Sequence, residues 1–85
     1  MRISIDPNVR TAGNQTYSGF EDLFGEVDDI NPGDHLLAMG LETDIVFDCK
    51  VTCIDYERRL IFLDIDWSSA REDYVHPTSR FVVTQ

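Results

Sequence analysis

Basic residues are scarce. Seven lysines and arginines stand against sixteen aspartates and glutamates, giving a net charge of −9 over 85 residues. A field of that sign repels phosphate backbones, so direct nucleic-acid binding is disfavoured and a basic protein partner is admitted. The imbalance is uneven: residues 1–48 hold ten acids and two bases (−8), residues 49–85 six and five (−1). Long apolar runs are also missing. Nothing approaches the roughly 18 apolar residues of a membrane-spanning helix, so no membrane association is expected. The opening MRISIDPNVR lacks the apolar stretch of a secretory signal, so a cytoplasmic location is expected.

Histidine and cysteine are too few for most site chemistries. His35 and His76 stand in unrelated contexts, and neither has a cysteine nucleophile for a neighbour. No G-x-S-x-G, P-loop or zinc-ligand spacing occurs. Ser68 and Ser69 follow Trp67 at a strand end, where serine commonly closes a turn. Neither catalysis nor a cofactor is expected. The two cysteines, Cys49 and Cys53, sit in the β-branched, alternating run IVFDCKVTCI. On a strand they lie about 13 Å apart, beyond the roughly 7 Å that a disulfide spans. They read as two buried, reduced thiols.

What remains is ordinary globular material, 42% hydrophobic and 27% charged, enough for one small domain with a modest core. The expected domain spans residues 1–85. Residues 1–30 form an N-terminal strand plus a loop or short helix, and residues 31–85 form a barrel core. RISI (2–5) alternates and ends at the turn signature DPN. VRTAGNQTYSG (9–19) shows no periodicity and reads as a loop or loose hairpin. Residues 18–25 admit two readings. Ser18 and Glu21 fit a capping box with Phe20, Leu23 and Phe24 on one face of a helical turn; the other reading is an extended segment.

A turn at Asn31–Gly33 leads into a strand at His35–Met39, ended or bulged by Gly40. The next strand carries Ile45, Phe47, Cys49, Val51 and Cys53 on one face. After DYERR the chain returns with Ile61, Leu63, Ile65 and Trp67 on its apolar face. One helical turn is expected at Ser69–Tyr74 and a closing strand at RFVVT (80–84).

The apolar faces of the two central strands must coincide, which requires paired residue numbers to share a constant even sum. A three-residue loop at Tyr56–Arg58, with Asp55 opposite Arg59, gives a sum of 114. Cys53 then faces Ile61, Val51 faces Leu63, Cys49 faces Ile65 and Phe47 faces Trp67. Outside, Lys50 lies opposite Asp64 and Asp48 opposite Asp66, so Asp55–Arg59 and Lys50–Asp64 become cross-strand ion pairs. Near the hairpin tip the outer face turns apolar, with Ile54, Leu60 and Phe62. Its cover is expected from the chain itself, by barrel coiling or the N-terminal strand, with a homodimer as the alternative.

Asp48, Asp64 and Asp66 are the available hard-oxygen ligands for a divalent cation. Lys50 already neutralises them in part and no Gly-rich calcium loop is present, so no metal site is expected. The surface singled out for binding is acidic and aromatic: Tyr17, Phe20, Glu21, Asp22, Phe24, Glu26, Asp28 and Asp29, with Phe62 beside them. Rings supply buried anchors and carboxylates steer a basic partner. A plainer alternative has Phe20 and Phe24 plugging one end of the barrel.

The succession NPGDHLLA, FDCKVTCID and RLIFLDIDW resembles a small SH3-like or Tudor-like barrel. The likeness rests on Gly33-Asp34 before a strand, Val51-x-x-Ile54-Asp55 at a strand end, and Leu63-Asp64-x-Asp66-Trp67. From Thr16-Tyr17-Ser18-Gly19-Phe20-Glu21 to Asp66-Trp67-Ser68-Ser69 the chain also resembles short bacterial and phage proteins, which bring no activity to carry over. The resemblance implies an all-β fold of about five antiparallel strands with at most one or two short helical turns. A Tudor-type cage for methylated basic side chains would draw on Phe47, Trp67, Tyr56 and Tyr74. Here Trp67-Ser68 replaces the tyrosine-glycine strand ending of those domains, and the register puts Phe47 and Trp67 on the core face. The expected function is a non-enzymatic, acidic protein-interaction module. The alternative is an acidic inhibitor that mimics nucleic acid against a basic host or phage protein.

Overall fold

Alternating β-branched and aromatic residues favour extended chain, and most of this molecule is extended. The computed structural model describes residues 1–6, 8–9, 13–40 and 44–72. Among these, six strands form one sheet: β1 (Arg2–Ile5), β2 (Gln15–Gly19), β3 (Leu23–Phe24), β4 (His35–Gly40), β5 (Ile45–Asp55) and β6 (Leu60–Glu72). Their order across the sheet is β2-β6-β5-β4-β1-β3. Two single 3-10 turns, Phe20–Asp22 and Val27–Asp29, are the helical elements of the described residues. The all-β expectation holds, and no helix among the described residues is long and apolar enough to cross a membrane.

The sheet is a curled half-barrel. Strands β1 and β2 stand four places apart in its order, yet the Ser18 hydroxyl donates to the Ser4 carbonyl at 2.7 Å. Beside it the Thr16 hydroxyl donates to the Val9 carbonyl. Both side chains are buried, Thr16 at 0% and Ser18 at 6% exposure. Inside the curl lies one apolar core built on Ile3, Ile5, Leu36, Val51, Leu63 and Ile65, with Ile61 and Phe47 completing it toward the two ends.

Two local expectations change, and the extended reading of residues 18–25 is the one that holds. Residues 15–19 form β2, not part of a loop. Its inward residues are Thr16 and Ser18 while Tyr17 points out, so no apolar alternation marks it. Residues 18–25 are extended apart from the Phe20–Asp22 turn, and that turn is capped from Gly19, whose N–H donates to Asp22 Oδ2 at 3.0 Å. Ser18 does not cap it because its hydroxyl is taken by Ser4. Residues 69–72 continue β6 instead of starting a helical turn; residues 73–74 and the strand expected at 80–84 lie outside the described residues. The sheet is also not wholly antiparallel, since β1 pairs β4 in parallel, Arg2 with Leu37 through Ile5 with Gly40.

The Asn31–Gly33 signature behaves as its chemistry requires. Asp34 N–H donates to the Asn31 carbonyl at 3.0 Å, and Gly33 adopts φ 100°, which a β-carbon would oppose. Gly33 N–H and Val51 N–H then tie the turn to β5, at 2.7 and 2.8 Å.

The central hairpin keeps its derived register over four pairs, Asp48↔Asp66, Cys49↔Ile65, Lys50↔Asp64 and Val51↔Leu63. Beyond Val51 it slips by one residue, so Cys53 pairs with Phe62, Ile54 with Ile61 and Asp55 with Leu60. The slip turns Ile54 toward the core and leaves Cys53 exposed, which corrects the expectation of two buried thiols. It also lengthens the loop to Tyr56–Arg59. There the Asp55 carboxylate accepts the N–H groups of Glu57 and Arg58, both at 3.0 Å, and Arg59 takes a left-handed φ of 61°. A second shift, between Val46 and Asp48, buries Val46 and Phe47 together. Phe47 still meets Trp67 as expected, edge to face at 5.0 Å.

Closure of the curl by a side chain has a measurable cost. Ser18→Ala removes a buried hydroxyl and strands the Ser4 carbonyl, and should lower stability by about 1–2 kcal/mol in urea unfolding. A loss below about 0.3 kcal/mol would show that this contact does not hold the curl.

Candidate functional site

Strand β6 alternates, so once Ile61, Leu63 and Ile65 face the core, Phe62, Asp64 and Asp66 must face out. Each outward residue acquires neighbours from the ladder. Tyr17 and Gln15 of β2 lie opposite Phe62 and Asp64. On the other side Lys50 and Asp48 of β5 lie opposite Asp64 and Asp66, and His35 of β4 lies opposite Lys50. A shallow cleft of about 500 Å³ lies over the charged part of this row and not over Tyr17 or Phe62, with Asn14, His35, Asp48, Lys50, Asp64 and Asp66 contributing its polar lining.

The Tyr17 and Phe62 rings touch, with centroids 5.8 Å apart and planes tilted by 50°. This contact answers what covers the apolar end of the outer face. Strand β2 flanks Phe62 with Tyr17 and Leu60 with Gly19, and Ile54 has turned inward. The cover therefore comes from the chain itself. Tyr17 stays 38% exposed, so one side of the ring pair remains open.

The three carboxylates of the face differ in commitment. Asp48 pairs with Arg71 at 3.0 Å. Asp66 Oδ1 accepts the N–H and the hydroxyl of Ser68, at 3.1 and 2.5 Å. The Ser69 hydroxyl donates to the Asp66 carbonyl at 2.6 Å and accepts the Asp48 N–H at 2.7 Å. The carboxylate of Asp64 has no hydrogen bond or ion pair among the described residues, and Lys50, though directly opposite, does not close one with it. Among the described residues no three or more His, Cys, Asp or Glu side chains converge closely enough to hold a metal ion.

The residues singled out from the sequence come together in part: Tyr17, Glu21 and Asp22 line one cleft of about 250 Å³ where β1 approaches β2. Tyr17 and Phe62 come together on the β2–β6 face. Phe20 sits at the hairpin tip instead, its ring edge-on to Tyr56 at 5.7 Å and under the Arg59 guanidinium at 5.4 Å. Its N–H donates to the Arg59 carbonyl at 3.2 Å, so Arg59 serves this cluster and not the expected pair with Asp55, whose ion partner is Arg58 at 3.6 Å. Phe20 does pack against the core edge, as the plug reading has it; Phe24 is 59% exposed on β3 and plugs nothing. Asp22 is used as the cap of Gly19, and Glu21 folds so closely over Gly19 that a β-carbon there would meet its carboxylate. Asp28 and Asp29 are exposed on the second 3-10 turn, after β3, at the other end of the strand order from β2.

Asn14, Gln15 and His35 join the face without having been singled out. The β2–β6 pairing, between distant chain segments, brings the first two there, and the pairing of consecutive strands β4 and β5 brings His35. The rings available for a Tudor-type cage do not converge. Phe47 and Trp67 meet edge to face, Tyr56 stands at the hairpin tip with Phe20, and Tyr74 lies outside the described residues. No family model matches the chain, and no curated protein or solved structure matches it either.

The two thiols now differ sharply. Cys49 is 3% exposed, its Sγ donates to the Leu36 carbonyl at 3.4 Å, and burial pushes its pKa up to about 11. Cys53 is exposed. A thiol reagent should therefore modify one cysteine of the folded chain quickly and the second only in denaturant. Below pH 9 the Cys49 thiol is neutral in both folded and unfolded chains and leaves stability unchanged. From pH 9 to about 11 only the unfolded chain releases the proton, so stability should fall by about 2 kcal/mol over that window. A Cys49→Ala chain should lack this alkaline loss, and an equal loss in the variant would exclude Cys49 as its source.

Proposed function

We propose that the chain is a non-enzymatic protein-interaction module that receives a basic partner on the β2–β6 face. The observation that carries this reading is the open Tyr17–Phe62 ring pair next to the uncommitted carboxylate of Asp64. Rings shed water at low entropic cost and anchor a contact, while the surrounding negative charge raises the rate of encounter with a cation. The net charge of −9 extends that attraction over about a Debye length, roughly 8 Å at physiological salt. The nucleic-acid mimic is the weaker reading: Lys50 interrupts the row of carboxylates on this face and apolar rings end it, unlike a phosphate backbone.

The reading is tested by titrating an unstructured peptide of mixed lysine and arginine into the labelled chain and following amide shifts by NMR. Shifts should centre on Tyr17, Phe62 and Asp64, and affinity should fall steeply as salt rises. No binding at low salt, or shifts confined to Asp28 and Asp29, would sink it.

A further inference from the structure

We propose that the partner's anchor on this face is an arginine, its guanidinium stacked on the Tyr17–Phe62 pair and hydrogen-bonded to Asp64. This rests on the basic-partner reading above and specifies which cation the site takes. Among the described residues two ring pairs have nearly equal spacing, Phe20–Tyr56 at 5.7 Å with planes at 78° and Tyr17–Phe62 at 5.8 Å with planes at 50°. The first already holds an arginine, Arg59, with its guanidinium 5.4 Å from the Phe20 centroid. Over the second no cation stands among the described residues.

The carboxylate completes the match. Phe62 and Asp64 share one face of β6 two residues apart, about 7 Å along the strand. One long side chain laid along that face meets the ring with its plane and the carboxylate with its edge. Asp64 is the acceptor left for it, because Asp48 is held by Arg71 and Asp66 by Ser68. Lysine fits less well. Its ammonium is a compact, strongly hydrated point charge, whereas a guanidinium is planar, weakly hydrated and offers paired N–H groups to one carboxylate. Lys50 illustrates the difference, standing opposite Asp64 without pairing to it.

The test compares two synthetic glycine–serine peptides of equal charge, one carrying arginines and the other lysines at the same positions. Each is titrated calorimetrically into the full 85-residue chain. The arginine peptide should bind about fivefold tighter, the size of one exposed cation–ring contact. Phe62→Leu, which keeps an apolar side chain but removes the ring, should bring the two peptides to equal affinity. Tyr17→Thr does the same from an exposed edge position and serves if Phe62→Leu fails to fold. Equal affinity of both peptides for the unmodified chain would overturn the arginine anchor and leave the basic-partner reading standing. A preference surviving both ring substitutions would overturn it as well. Binding of neither peptide to a folded chain would overturn both readings together.

Discussion

Val51 against Leu63 and Cys49 against Ile65 form a row of four apolar side chains, none more than 3% exposed. A slip of one residue in this stretch would turn one strand's pair to water, Val51 and Cys49 or Leu63 and Ile65, and carry Lys50 or Asp64 inward. Exposing such a pair costs several kcal/mol, and burying an unpaired charge costs more. The register of the central hairpin is therefore not negotiable. Everything on the outer face inherits it: Asp64 and Asp66 are outside because Leu63 and Ile65 are inside, and Phe62 is beside Tyr17 because Ile61 is buried.

The same hairpin shows how far a sequence can be read. The four-pair stretch follows from alternation alone, because both strands there have one uniformly apolar face. Alternation stops being informative at Cys53 and Ile54, where both faces carry residues a core accepts. The choice then falls to the loop. Asp55 holds the N–H groups of Glu57 and Arg58, and Arg59 takes a left-handed backbone, so four residues turn instead of three. Strand β2 was illegible for a different reason: its buried residues are hydroxyls and its exposed one is a tyrosine, the reverse of the usual polarity. Burial of Thr16 and Ser18 is tolerable because each donates to a backbone carbonyl. The candidate face was half legible, since Phe62, Asp64 and Asp66 could be placed together from β6 but Tyr17 could not be placed beside them.

Arginine has divided duties in this acidic chain. Arg71 and Arg58 neutralise nearby carboxylates, and Arg59 covers a ring at the hairpin tip. Exposed ion pairs of this kind add little stability, typically under 1 kcal/mol each. Their larger effect is on which negative groups remain available. Pairing removes Asp48 and Asp55 from the surface inventory, turn formation removes Asp66, and capping removes Asp22. Asp64, next to two rings, is left uncommitted by all of these.

The parallel alignment of β1 with β4 bears on the order in which the molecule assembles. Antiparallel β5 and β6 are joined by a tight loop and can meet early, and β4 follows from the adjoining turn. β1 lies far in sequence from the strands that flank it, with residues 6–22 before β3 and residues 6–34 before β4, and its hydroxyl link to β2 requires the curl to exist already. Such distant pairings cost loop-closure entropy before they return any contact energy. β1 is thus among the last strands to be seated, and until then Ile3 and Ile5 are apolar groups without a home.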